Sequence, residues 1–135
     1  MKIRIVSSKG EISALNPNER IVHLAFRASN VDFLNLMKRC PRVRAIQVPK
    51  SYLKTMSDAV QGFMEMQGIE LLEGDVWGHR KDIDEYFVVD DATMDEIKAL
   101  SASGADAFQV AEDLKKKAKL SPDLVEYISR YRASA

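Results

Sequence analysis

Residues 21–49, IVHLAFRASNVDFLNLMKRCPRVRAIQVP, carry two short apolar strands and the helix that joins them. Leu24 and Phe26, then Ile46 and Val48, alternate with their neighbours at the period of an extended chain. Between them the apolar period lengthens to that of a helix, with Phe33, Leu34 and Met37 following Asn30, and Pro41 stops it. Strands joined through a helix of this length run parallel with a right-handed crossover.

The same unit recurs outward from this stretch. Ile3 and Ile5, Leu24 and Phe26, Ile46 and Val48, Ile69 and Leu71 share one template, at steps of 21, 22 and 23 residues (3 to 24 to 46 to 69). Ile21, Val43 and Met66 each stand three residues ahead of the last three units. Pro17 and Gly68 end the helices before the second and fourth strands, and Leu53, Met56, Val60, Phe63 and Met64 form a further helix opened by Ser51. The run from Cys40 to Pro49 is similar to a leucine-rich repeat in spacing but lacks its asparagine, and the units are too few for a solenoid. Tyr86 to Val89 reads as a fifth, edge strand.

After Asp90 and Asp91 the pattern is wholly helical. Thr93 and Glu96 are spaced as a capping box, with Ile97 and Leu100 on one face and Gly104 at the end. A second helix carries Ala107, Val110, Ala111, Leu114 and Ala118. A third has Ser121 as N-cap, Pro122 in its first position, then Leu124, Val125 and Ile128. The expected fold is α/β: a short parallel βα-repeat sheet of four or five strands over residues 1–90, followed by a three-helix unit over 91–135.

At 135 residues, 46% hydrophobic and 30% charged, the composition is that of one globular domain with a sizeable core. Twenty basic and twenty acidic residues cancel, so no global field draws the chain to nucleic acid or membrane, and charge arguments must be local. The single cysteine, Cys40, rules out an intrachain disulfide and is expected as a buried, inert thiol. MKIRIVSSKGE is too short in apolar residues for a signal core and no run reaches membrane-helix length, so the cytoplasm is expected.

HLAFR at 23–27, QVPKSY at 47–52 and EMQGIELLEGDVWGHRKDIDEY at 65–86 together resemble a small archaeal family described only as a domain of unknown function. The resemblance spans nearly the full chain. It implies an archaeal, cytosolic, stand-alone protein and brings no functional residues with it. The C-terminal part is separately similar to a helix-turn-helix unit, with Ala111 inside the second helix and the Ser-Pro capped helix as the reader. Its run from Ala111 to Val125 is several residues longer than the usual motif, and the turn at Lys119, Leu120 and Ser121 has no glycine.

Three segments are site candidates. Lys115, Lys116, Lys117 and Lys119 lie beside the presumed reader, with Arg130 at its far end, and could neutralise phosphates. Residues 91–135 nonetheless hold seven basic and eight acidic residues, and Asp123 and Glu126 sit in the reader's first turns, so a solvated lysine-rich face is the plainer reading. The second is residues 33–57, which carry six basic residues and no acidic one; Lys50 and Ser51 open a helix after the third strand, and Arg27 leaves the second at the same edge. No glycine-rich loop accompanies them, and Ser51 doubles as an ordinary N-cap. The third is the loop with Trp77, His79 and Arg80, where the histidine could act as base or ligand and the indole as an apolar wall, or the tryptophan could simply close the sheet edge. Asp75 and His79 are too few for a metal, and Asp82, Asp84 and Glu85 lack calcium-loop spacing. His23, between Val22 and Leu24, is expected to pack between sheet and helix.

Two functional readings follow. In the first, the chain is a regulator that contacts DNA or RNA through its helical tail as a homodimer, while Arg27, Lys50, Ser51, Trp77, His79 and Arg80 hold a small anionic effector. In the second, it is an anion- or phosphometabolite-binding protein or small enzyme using that strand edge directly, with the tail as lid or dimer contact. Without a G-x-S-x-G elbow, an H-E-x-x-H pair or a spaced Cys-His arrangement, binding is favoured over catalysis, and no cofactor or metal is expected.

Overall fold

The computed structural model describes residues 1–76 and 85–130. Its centre is a five-stranded sheet in the order β4-β3-β2-β1-β5. β1 (Lys2–Val6), β2 (Ile21–Leu24), β3 (Ala45–Val48) and β4 (Glu70–Glu73) are parallel, and β5 (Tyr86–Val88) pairs antiparallel with β1 at the edge. The α/β class, the strand count and the edge position of the fifth strand are therefore as expected.

Each parallel strand adds on the same side of its predecessor, so right-handed crossovers bring all the connections to one face of the sheet. That face carries a 3-10 turn (Lys9–Ala14), α1 (Asn30–Arg39), the four-residue α2 (Lys50–Leu53) and α3 (Asp58–Met66). Val22, Leu24, Ile46 and Val48 pack there against Phe33, Leu36, Val60 and Met64. The other face is covered by the C-terminal helices α4 (Asp91–Ala102), α5 (Ala107–Leu114) and α6 (Pro122–Arg130). Ile3, Ile5, Ile21, Ala45 and Leu72 form one core there with Ile97, Val110, Leu114, Leu124, Val125 and Ile128. The helical tail is thus docked on the sheet, completing a three-layer sandwich.

The local signals explain most boundaries. Ser29 and Asp32 exchange side-chain and backbone hydrogen bonds as a capping box at the start of α1, and Cys40 and Pro41 follow its end. Ser121 Oγ accepts from the Leu124 amide and caps α6, with Pro122 in the first turn, as expected. Cys40 is fully buried, and burial pushes its thiol up, the Glu19 carboxylate adding to the effect.

Several boundaries differ from expectation. The helix read as one element from Ser51 is broken: Pro49 precedes α2 without a side-chain cap, and Ser57, not Ser51, accepts the capping bond, from the Val60 amide. A proline fixed near φ −60° opens a helix without any donor of its own, which leaves Ser51 inside the first turn. Asp90, not Thr93, caps α4, because its carboxylate reaches the Thr93 amide at 2.8 Å. α5 stops at Leu114, so Ala118 lies in the turn beyond it. The connection before Pro17 is a 3-10 turn and not an α-helix. Finally, Ile3 and Ile5 point to the tail side, whereas Leu24, Ile46, Val48 and Ile69 of the other repeat units belong to the α1 and α3 side. In a sheet buried on both faces, alternation alone does not say which face a residue takes.

Candidate functional site

β3 is followed by Pro49, which cannot donate to a ladder, and β4 by Gly74. Where these carboxyl ends meet the start of α6, a cleft of about 440 Å³ opens, with Lys50 and Ser51 on one side, Glu73, Gly74 and Asp75 below, and Ser121 and Asp123 opposite. Phe108 of α5, 75% exposed, forms its apolar rim. Parallel sheets bind ligands at this edge, where chain reversals leave backbone groups open.

Beneath the cleft the tail-facing side of the sheet carries two polar residues side by side, His23 and Gln47, paired in register across β2 and β3 and both fully buried. Gln47 Nε2 lies 3.5 Å from Ser121 Oγ, while its Oε1 has no hydrogen-bond partner among the described residues. His23 Nε2 lies 3.5 Å from Asp75 Oδ1, which also accepts from the Val76 amide. Gly74 is held tightly here, since a Cβ on it would overlap the Ser121 side chain and come 2.7 Å from Gln47 Nε2.

α6 is fastened at both ends. Asp123 Oδ2 accepts from the Glu73 amide at 2.8 Å, and Arg130 donates to Glu70 Oε1 at 2.7 Å, a bond that pushes the guanidinium's pKa further up. Leu124, Val125, Tyr127 and Ile128 are buried in the shared core. The helix expected to read a nucleic-acid groove packs its apolar face on the sheet and keeps Glu126 and Arg130 exposed, with Arg130 paired to Glu70 of β4. The apolar stripe of Leu124, Val125, Tyr127 and Ile128 fixes which face of α6 is turned to the sheet.

The other candidates separate into groups. Lys115, Lys116, Lys117 and Lys119 are all exposed in the turn after α5; Lys117 meets Glu96 at 3.1 Å and Lys115 meets Glu112 at 3.9 Å, both weak surface pairs. Lys50 and Ser51 do line the cleft at the strand edge. Arg27 does not join them: it donates to Thr55 Oγ1 and lies over the Tyr52 ring at 5.2 Å. Trp77, His79 and Arg80 lie outside the described residues. Sequence reasoning passed over Gln47 and Gly74; a glutamine inside an otherwise apolar strand was the signal for the first. Among the described residues the cleft is lined by Glu73, Asp75 and Asp123 together with Lys50.

Residues 2–85 match the model of the N-terminal domain of a family of unknown function (DUF1699), and residues 92–130 match that family's C-terminal HTH domain. Neither the curated proteins nor the solved structures hold a match to the chain. No helix among the described residues is long and apolar enough to cross a membrane.

Proposed function

Since the chain belongs to the DUF1699 family, whose C-terminal part is an HTH-type domain, we propose that it is a cytoplasmic nucleic-acid-binding protein that grips phosphates through the turn between α5 and α6. The observation that carries this reading is the exposure of Lys115, Lys116, Lys117 and Lys119, a five-residue stretch inside the HTH-type domain. The exposed face of α6 carries Glu126, its Asp123 is bonded to the Glu73 amide and its Arg130 is held by Glu70, so contact through the lysine turn is to backbone phosphates and carries little sequence preference.

Fluorescence anisotropy of the chain with random duplex DNA and structured RNA tests this. Three or four phosphate contacts predict an affinity falling by about 40- to 150-fold between about 50 and about 200 mM salt. The variant Lys115→Glu/Lys116→Glu/Lys117→Glu should lose binding and flatten the salt slope; unchanged binding removes the lysine turn from the reading.

The cleft favours a second reading, a ligand-binding protein with the tail as lid. Among the described residues its lining is Lys50 with Glu73, Asp75 and Asp123, and an anionic or phosphate-bearing ligand would meet Lys50 and Ser51 there. On this reading Lys50→Ala weakens ligand binding while the lysine-turn variant does not.

A further inference from the structure

On the face of the sheet opposite the tail, α1 and α3 are tied at their N-terminal ends, where Ser57 Oγ donates to Asn30 Oδ1 at 3.1 Å. Between their C-terminal halves lies a second cleft of about 400 Å³. Its walls are apolar, with Leu34 and Met37 from α1, Phe63 from α3, and Ile69 and Val43 from the loops that enter the strands. Leu34 is 41% and Phe63 40% exposed at its walls. Lys38 and Arg44 stand at the rim. Neither has a hydrogen-bond or ion-pair partner for its charged group among the described residues, and residues 33–57, which contain both, hold six basic side chains and no acidic one.

An apolar trough of this volume with two uncompensated cations at its mouth is complementary to a molecule with a hydrocarbon body and an anionic head. We propose that the groove between α1 and α3 binds an amphipathic carboxylate, its aliphatic or aromatic body between Leu34 and Phe63 and its carboxylate at Lys38 and Arg44. A neutral apolar ligand would leave the cations unanswered, and a polyanion such as nucleic acid would leave the apolar walls wet. The site lies on the opposite face from the lysine turn and does not depend on the nucleic-acid reading.

The test is isothermal titration calorimetry of the full chain with decanoate, kept below its micelle concentration, and with decyltrimethylammonium, which has the same tail and the opposite head. The expected result is saturable one-to-one binding of decanoate with a negative heat-capacity change and at least about tenfold weaker binding of the cation. Lys38→Gln/Arg44→Gln should weaken decanoate by about tenfold or more without changing Tm. Leu34→Glu should abolish it, while Phe108→Ser, in the other cleft, should have no effect. Equal binding of both heads, or decanoate binding insensitive to Lys38→Gln/Arg44→Gln, overturns the proposal. A dimer seen in sedimentation that Leu34→Glu dissolves, with no decanoate binding, also overturns it and assigns the groove to a second copy of the chain.

Discussion

Glu11 shows how a single surface carboxylate can set local stability. Its Oε2 accepts from the Ser7 amide at 2.9 Å, the Ser7 hydroxyl at 2.7 Å and the Ser8 hydroxyl at 3.1 Å. Partial burial pushes the carboxyl up, but these donors together outweigh it and hold it below its ordinary value of 4.5. A carboxyl lowered in the folded chain stabilises the fold above the unfolded pKa, and that contribution is lost as pH falls through the folded value. Glu11→Gln should therefore lower Tm at pH 7 and leave it nearly unchanged at pH 3, measured by circular dichroism; an equal drop at both pH values would show that the charge is not what the serines hold. Gln47 illustrates the opposite case, a buried amide whose oxygen finds no donor among the described residues, at a cost the surrounding core must offset.

At the scale of the element, caps decide where helices begin. Ser57→Ala removes the bond to the Val60 amide and should cost about 1 kcal/mol in urea unfolding, whereas Ser51→Ala, inside the first turn of α2, should stay within about 0.5 kcal/mol. Equal effects would mean that α2 and α3 unite as one helix in solution. The seat of α6 rests on the space left by Gly74. Gly74→Ala would drive a methyl into Ser121 and Gln47, pushing the start of α6 off the sheet at about 1–3 kcal/mol. Faster amide exchange in α6 is the expected sign; exchange unchanged from the parent would show that β4 can yield instead.

For the whole molecule, the decisive fact is that both faces of the sheet are covered by helices of the one chain. Ile3, Ile5, Ile21 and Leu72 are buried under the C-terminal helices, and each is worth about 1.5–3 kcal/mol of transfer free energy, an upper estimate. Four such side chains rival the whole net stability of a domain, about 5–15 kcal/mol. The fragment 1–90 should therefore be insoluble or bind an apolar dye strongly, and the full chain should unfold in one transition; a soluble, cooperatively folded 1–90 fragment would show that the tail adds little. In this chain the segments matched by the family's two domain models share one core on the tail side of the sheet.

The sequence alone determined the strands, α1 and the C-terminal helices: the recurring apolar pairs, the helical spacing after Asn30, the Ser-Pro start of α6 and the edge strand at Tyr86 all came from local propensity and period, whereas the break between α2 and α3 and the 3-10 turn before Pro17 did not. It also marked Lys50 and Ser51 at the strand edge and the exposed lysines after α5. What it could not settle is which face each strand offers, because Ile3 and Leu24 alternate identically while packing on opposite sides. The tertiary structure alone decided that α6 turns its apolar stripe to the sheet, ties Asp123 to Glu73 and Arg130 to Glu70, and leaves a carboxylate-lined cleft beside Gly74. The same amphipathic helix could have lain in a groove or on a core; the apolar face of Ile3, Ile5, Ile21 and Leu72, assembled from strands far apart in the chain, is what draws it to the sheet.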